Sequence, residues 1–192
     1  YESSAQIQIK KENSDPSSFL TGGAELFGFD KVNVENDIAV ITSQYILEKV
    51  VQKLDLQTNI YVLGRINTAL QFKPLIPIEI NFKNSNTAQA WDLKVFDNTL
   101  TISNEELIFT LKKGEVLDQE GIFIKPKDDF FTNDQEFKIT YSSLNNSVTQ
   151  IRANLTVTPA AKQGEIVNLK FKGTNIKRNE AILNTLIAVL AE

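Results

Sequence analysis

Residues 164–192 read GEIVNLKFKGTNIKRNEAILNTLIAVLAE. The segment changes period partway along. Val167, Leu169 and Phe171 alternate with polar residues, which is the rhythm of a half-buried strand. Gly173, Thr174 and Asn175 break that rhythm, and Asn175 is suited to cap a helix. Ile176, Leu183, Leu186, Ile187 and Leu190 then recur at helical spacing and form one stripe. A strand therefore feeds directly into an amphipathic helix. No Gly, Asn or Pro stops that helix, so it is expected to run on past Glu192.

Further out, period two dominates. At the start of the chain Ala5, Ile7 and Ile9 alternate with Gln6, Gln8 and Lys10, as in a half-buried strand. From Pro74 onward the inward positions read Ile76, Ile78, Ile80 and Phe82, then Trp91, Leu93 and Val95, then Leu100 and Ile102 after a turn at Asp97–Asn98. Leu107, Phe109 and Leu111 follow, then Ile122 and Ile124, then Phe137, Ile139 and Tyr141, then Ile151, Ala153, Leu155 and Val157. Such runs, punctuated by Asn, Asp, Gly and Lys, predict an antiparallel β region. Residues 33–56 predict one long helix, capped by Asn33 or Asn36, with Lys49 and Lys53 near its C-terminal end. Val40, Leu47, Val50, Val51 and Leu54 share one face; Ile38, Ile41 and Tyr45 lie on roughly the opposite one. Two apolar stripes need two covers. Residues 11–31, with Phe19, Leu26, Phe27 and Phe29, read as a loop that folds back over the second stripe, or else a neighbouring subunit meets it.

The fold class is α+β. Residues 1–72 and 150–192 read as a base of terminal strands and helices, and residues 73–149 as a β-rich insert in one compact unit.

Composition narrows the function classes. The 192 residues carry no Cys, no His and no Met, a net charge of -4 and 42% hydrophobic residues. Without Cys there is no thiol nucleophile and no common zinc site. Without His the most frequent general base is missing. The mildly acidic balance does not suit a nucleic-acid partner. The longest late apolar run, Leu186–Ala191, is far short of the roughly 20 residues that span a bilayer. Beginning at Tyr1 in the middle of a strand, the chain reads as a piece of a longer protein.

Few residues speak of chemistry. Ser142 and Ser143 have no Lys at a telling spacing. Asp128–Asp129 and Asp118/Glu120 could be paired carboxylates of a glycoside-acting enzyme, but solvated loop charge explains them as well. Gly22, Gly23 and Gly28 lack the G-K-[ST] of a phosphate loop. The sequons at Asn145 and Asn154 read as chance. No catalytic residue, cofactor or metal ligand is expected. Trp91, Phe130 and Phe131 could stack on sugar rings, as in a carbohydrate-binding β module of the cell envelope, or could simply pack inside.

The order of elements resembles the extracytoplasmic part of bacterial polysaccharide co-polymerases, the chain-length determinant family, in its tyrosine autokinase-associated branch. The resemblance rests on the opening Tyr–x–x–x–Ala strand and on Ser43, Ile46, Leu47, Val50, Val51, Leu54 and Leu56. It continues in LTVTPAAKQGEIVNLKFKG and in Glu180, Ala181, Ile182, Leu183 and Asn184. Asn175–Ile176 stands where the family usually has Asp-Pro, which keeps the cap and loses the proline. Residues 1–10, 33–63 and 150–192 carry the match, and GEVLDQEGIFIKP resembles a turn-and-strand element of the larger members. The resemblance implies a non-catalytic periplasmic domain of an inner-membrane homo-oligomer that regulates the chain length and export of capsule, exopolysaccharide or O-antigen. It implies flanking transmembrane helices, a polymerase or export partner, and any kinase domain outside this chain. Both chain ends would then leave a membrane-proximal base on one face, with the last helix heading for a second membrane crossing. Ile38, Ile41 and Tyr45 would be candidate oligomer contacts.

Overall fold

The computed structural model describes residues 1–9, 34–64, 67–83, 88–160 and 166–192. The architecture is α+β, and every strand pairing among the described residues is antiparallel. The chain runs β1 (Glu2–Gln8), α1 (Val34–Ile41), α2 (Gln44–Lys53), β2 (Thr58–Leu63), β3 (Thr68–Gln71), β4 (Ile78–Phe82), β5 (Gln89–Phe96), β6 (Thr99–Ser103), β7 (Ile108–Lys112), β8 (Leu117–Gln119), β9 (Ile122–Pro126), β10 (Gln135–Tyr141), α3 (Leu144–Asn154), β11 (Leu155–Pro159), β12 (Ile166–Lys172) and α4 (Ile176–Leu190).

Two hydrophobic cores organise these elements. The first lies between the sheet β1-β12-β11 and the helices. β1 and β12 pair from Glu2↔Lys172 to Gln8↔Ile166, so the alternation of both strands points one way. Val167, Leu169 and Phe171 face inward with Ala5 and Ile7; Leu47, Val50 and Val51 of α2 and Ile182, Leu183, Leu186 and Val189 of α4 close over them. The outward face of this sheet is polar, with Gln6 donating to Asn168 at 2.8 Å and Glu2 pairing with Lys170 at 3.3 Å.

The second core fills a sandwich between the sheets β3-β2-β10-β5-β6-β7 and β4-β9-β8. Trp91, Leu93, Phe137 and Ile139 from the large sheet meet Ile78, Ile80, Ile122 and Ile124 from the small one. The β5–β6 turn works because Asp97 and Asn98 both take positive φ, 47° and 56°, matching the right-handed twist of the strands it joins. Residues 58–71, grouped with the base from sequence, supply β2 and β3 to the large sheet. Residues 144–149, grouped with the insert, begin α3 of the first core. The chain passes between the cores at Gln57 and Ser142, which are laced together: Ser142 N–H donates to the Gln57 carbonyl at 2.9 Å, and Gln57 Nε2 to Tyr141 Oη at 2.7 Å.

Four expectations are corrected. The helix at 33–56 is two helices. Ser43 takes an extended conformation (φ -63°, ψ 154°), and its Oγ caps α2 by accepting from Ile46 N–H. Asn36 lies inside α1 and does not cap it, and Asn33 falls outside the described residues. Second, Ile151 and Ala153 are helical. Ser143 caps α3, and Val148, Ile151 and Leu155 recur at helical spacing toward the first core. Third, β2 and β3 occupy a stretch for which no strand was expected. Fourth, Tyr1 and Glu192 do not share a face. Tyr1 extends the ladder to Gly173, just before α4, whereas Glu192 follows α4's far end and pairs with Lys49 and Lys53. Both β1 and α4 run antiparallel to β12, so the two ends are separated by the helix, roughly 22 Å at 1.5 Å per residue.

Candidate functional site

The outward side of α1 and α2 carries the face expected to meet a partner, and the helix break rearranges it. Ile41 is 3% exposed and belongs to the first core, so it is not a contact residue. The turn at Thr42–Ser43 rotates α2 relative to α1 and sends Ile41 inward. Ile38 is half-buried. Tyr45 is 64% exposed, with Lys49 Nζ 4.7 Å from its ring centroid, and hydrogen bonding to Tyr45 is the main cause that raises the Lys49 pKa. Val40, expected on the buried stripe, is 56% exposed. Beside Val40 lies an open apolar cleft of about 390 Å³ between the end of β1, α1 and the end of α4, lined by Ile7, Ile9, Val40, Ile41, Ile187 and Leu190. Phe19, Leu26, Phe27 and Phe29, expected to cover this face, fall outside the described residues, as do Gly22, Gly23 and Gly28.

The three candidate glycan contacts are interior. Trp91 is 3% exposed, on the inner face of β5, with its ring 6.2 Å from Phe109. Phe130 stacks on Phe137 at 5.0 Å and meets Phe131 edge-on at 6.3 Å. Both phenylalanines sit in a short 3-10 turn, Asp128–Phe131, that plugs the sandwich, so the surrounding polar run DDFFTND does not bring them to the surface. Their rings have no free face for a sugar. Two of the four acids considered for glycoside chemistry pair with lysines, Asp118 with Lys83 and Asp128 with Lys113. Ser143 is a helix cap, and Ser142 joins the crossover between the cores. Among the described residues, no group of three or more acidic residues is placed to hold a metal ion. Among them, too, no helix is long and apolar enough to cross a membrane.

A polar junction that sequence reasoning did not single out sits where α4 begins. Asn175 Oδ1 accepts from Arg178 N–H at 3.0 Å, and Asn175 Nδ2 donates to the Leu70 carbonyl of β3 at 3.2 Å. Arg178 Nη2 donates to Asn59 Oδ1 of β2 at 3.2 Å. Burial lowers the Arg178 pKa, because the charged form has lost part of its water. Asn179 is fully buried. Its amide satisfies its neighbours when Nδ2 donates to the Asn175 carbonyl at 3.1 Å and Oδ1 accepts from Gly173 N–H at 3.3 Å. These residues bind the two cores to each other and to β1. The signal in sequence was two Asn and an Arg in the first turn of a helix whose other inward positions are apolar.

No protein-family model matches this chain, and no curated protein matches it.

Proposed function

We propose that this chain is a non-catalytic periplasmic domain of a bacterial inner-membrane polysaccharide co-polymerase of the tyrosine autokinase-associated type. In this reading it acts through contacts between copies of the full-length protein and with the polymerase or export machinery, and so influences polysaccharide chain length. The observation that carries the reading is the meeting of the segments that bear the resemblance. β1, α2, β12 and α4 are spread from one end of the sequence to the other, and all contribute to one core. In this reading that core is the membrane-proximal base from which the sandwich projects, and α4 does not run straight into a membrane on Tyr1's side, since it points to the opposite pole.

The surface we assign to contacts between copies is Tyr45, Val40 and the adjoining cleft. The test uses full-length protein in its membrane. Tyr45→Asp and Val40→Asp both alter exposed side chains, so folding should survive. Weaker cross-linking between copies together with a shifted polysaccharide length distribution is the expected result. Normal cross-linking and normal length in both variants would remove this surface from the mechanism.

A further inference from the structure

A second cleft, of about 210 Å³, opens at the polar junction. Ser147, Gln150 and Asn154 of α3 line one side, and Lys172, Gly173 and Arg178 the other. We propose that this cleft binds a small oxyanion, a phosphate or carboxylate group, held chiefly by the Arg178 guanidinium and the Ser147 hydroxyl.

Four features point to an anion. Arg178 carries its charge into a half-buried place, yet no carboxylate pairs with it among the described residues; Asn59 takes a single hydrogen bond from its five donors. Ser147 is 3% exposed, lines the cleft, and its buried Oγ has no hydrogen-bond partner among the described residues. A buried hydroxyl without a partner is costly, and a ligand oxygen in the cleft would supply one. Among the described residues no acidic side chain lines the cleft, and of the cations that do, Lys172 pairs with Glu2 at 3.8 Å while Arg178 has no carboxylate. The N-terminal end of the 15-residue helix α4 adds its positive dipole end to the same place. A guanidinium fork matches a carboxylate or phosphate edge with two parallel bonds, which a single ammonium cannot do.

The test is an amide NMR titration of the 15N-labelled chain with sodium phosphate, at constant ionic strength and neutral pH, with a parallel titration using glucuronate. Saturable shifts at Ser147, Gly173 and Arg178 are expected, with a dissociation constant in the range of about 1–10 mM for so small a ligand. Arg178→Gln should abolish them. Ser147→Ala should weaken binding about tenfold, the usual worth of one hydrogen bond to a charged group. Because that hydroxyl has no partner among the described residues, Ser147→Ala should melt no lower than the parent, so it decides the matter even if Arg178→Gln fails to fold. A response to glucuronate assigns the cleft to a carboxylate carried on a sugar. A response to phosphate alone assigns it to a phosphate group. No saturable shift with either probe, or shifts that Ser147→Ala leaves unchanged, overturns the proposal.

Discussion

The junction at the start of α4 makes a prediction that few surface features could make. A Cβ added at Gly173 falls inside contact distance of the amide head of Asn179 and 3.2 Å from its Cγ. Asn179 is wholly buried and hydrogen-bonded on both sides, so it has no free rotamer to retreat into. Gly173 itself does not have a positive φ, so the crowding and not the backbone sets the penalty. Overpacking of this kind costs about 1–3 kcal/mol, offset by roughly 0.4–1 kcal/mol because alanine has less freedom than glycine in the unfolded chain. Gly173→Ala should therefore cost about 1–2 kcal/mol net, a fall in Tm of very roughly 2–8 °C for a chain of this size. Asn179→Ala should cost about 1–3 kcal/mol by a different route, the loss of its partners to Gly173 N–H and the Asn175 carbonyl. The two penalties cannot add. Once Asn179 is truncated the new methyl has room, so the double variant should be more stable than the sum by about 1–2 kcal/mol. Urea melts followed by far-UV circular dichroism supply all four corners of the cycle. Additivity within about 0.5 kcal/mol would show that Gly173 and Asn179 do not crowd each other and would refute the account of this junction.

Other expectations follow from single residues. Phe137→Ala removes a 5%-exposed ring stacked on Phe130, so it should cost about 3–5 kcal/mol in a melt followed by the fluorescence of Trp91 in the same core, and a cost under about 1 kcal/mol would place the ring outside it. Ser43→Ala deletes the cap of α2 and should cost about 1 kcal/mol by urea midpoint, an effect that one uninterrupted helix would not show. At the β5–β6 turn Asn98→Val should cost about 1–2 kcal/mol because a β-branched residue resists positive φ, whereas Asn98→Gly should be near neutral. Glu192 has its pKa lowered, mainly by the hydrogen bond from Lys53. Its contribution is thus present above the ordinary carboxylate pKa and is lost as pH falls through the depressed value. Since the pair is exposed, salt should erase that pH dependence, and a dependence that survives high salt would contradict the surface assignment.

The rhythm of most elements can be read along the chain. Alternation picked out the inward sides of β1, β4, β5, β9, β10 and β12, because a strand's side chains point to opposite faces whatever lies around it. Asn175 announced the start of α4 because a cap acts within one turn, and Asp97–Asn98 announced its hairpin because the turn geometry is local. α3 reads wrongly as strand: Ile151 and Leu155 also fit an alternating period, and that reading prevails over the helical recurrence of Val148, Ile151 and Leu155 behind the Ser143 cap. Tertiary structure alone decided the rest. The break at Ser43 needed the core, since both halves favour helix and only burying Ile41 together with Leu47 selects two axes over one. Trp91, Phe130 and Phe131 suit a sugar platform or a core equally well in sequence, and only the facing sheet puts them inside. Gly173 with Asn179, Arg178 with Asn59, and Ser147 against the first turn of α4 are separated by 6, 119 and about 30 residues, yet they form one junction. Nothing local requires such residues to meet. They meet because β1 and α4 both run against β12, which brings the start of the chain, the start of its last helix and the crossing between the two cores to the same pole.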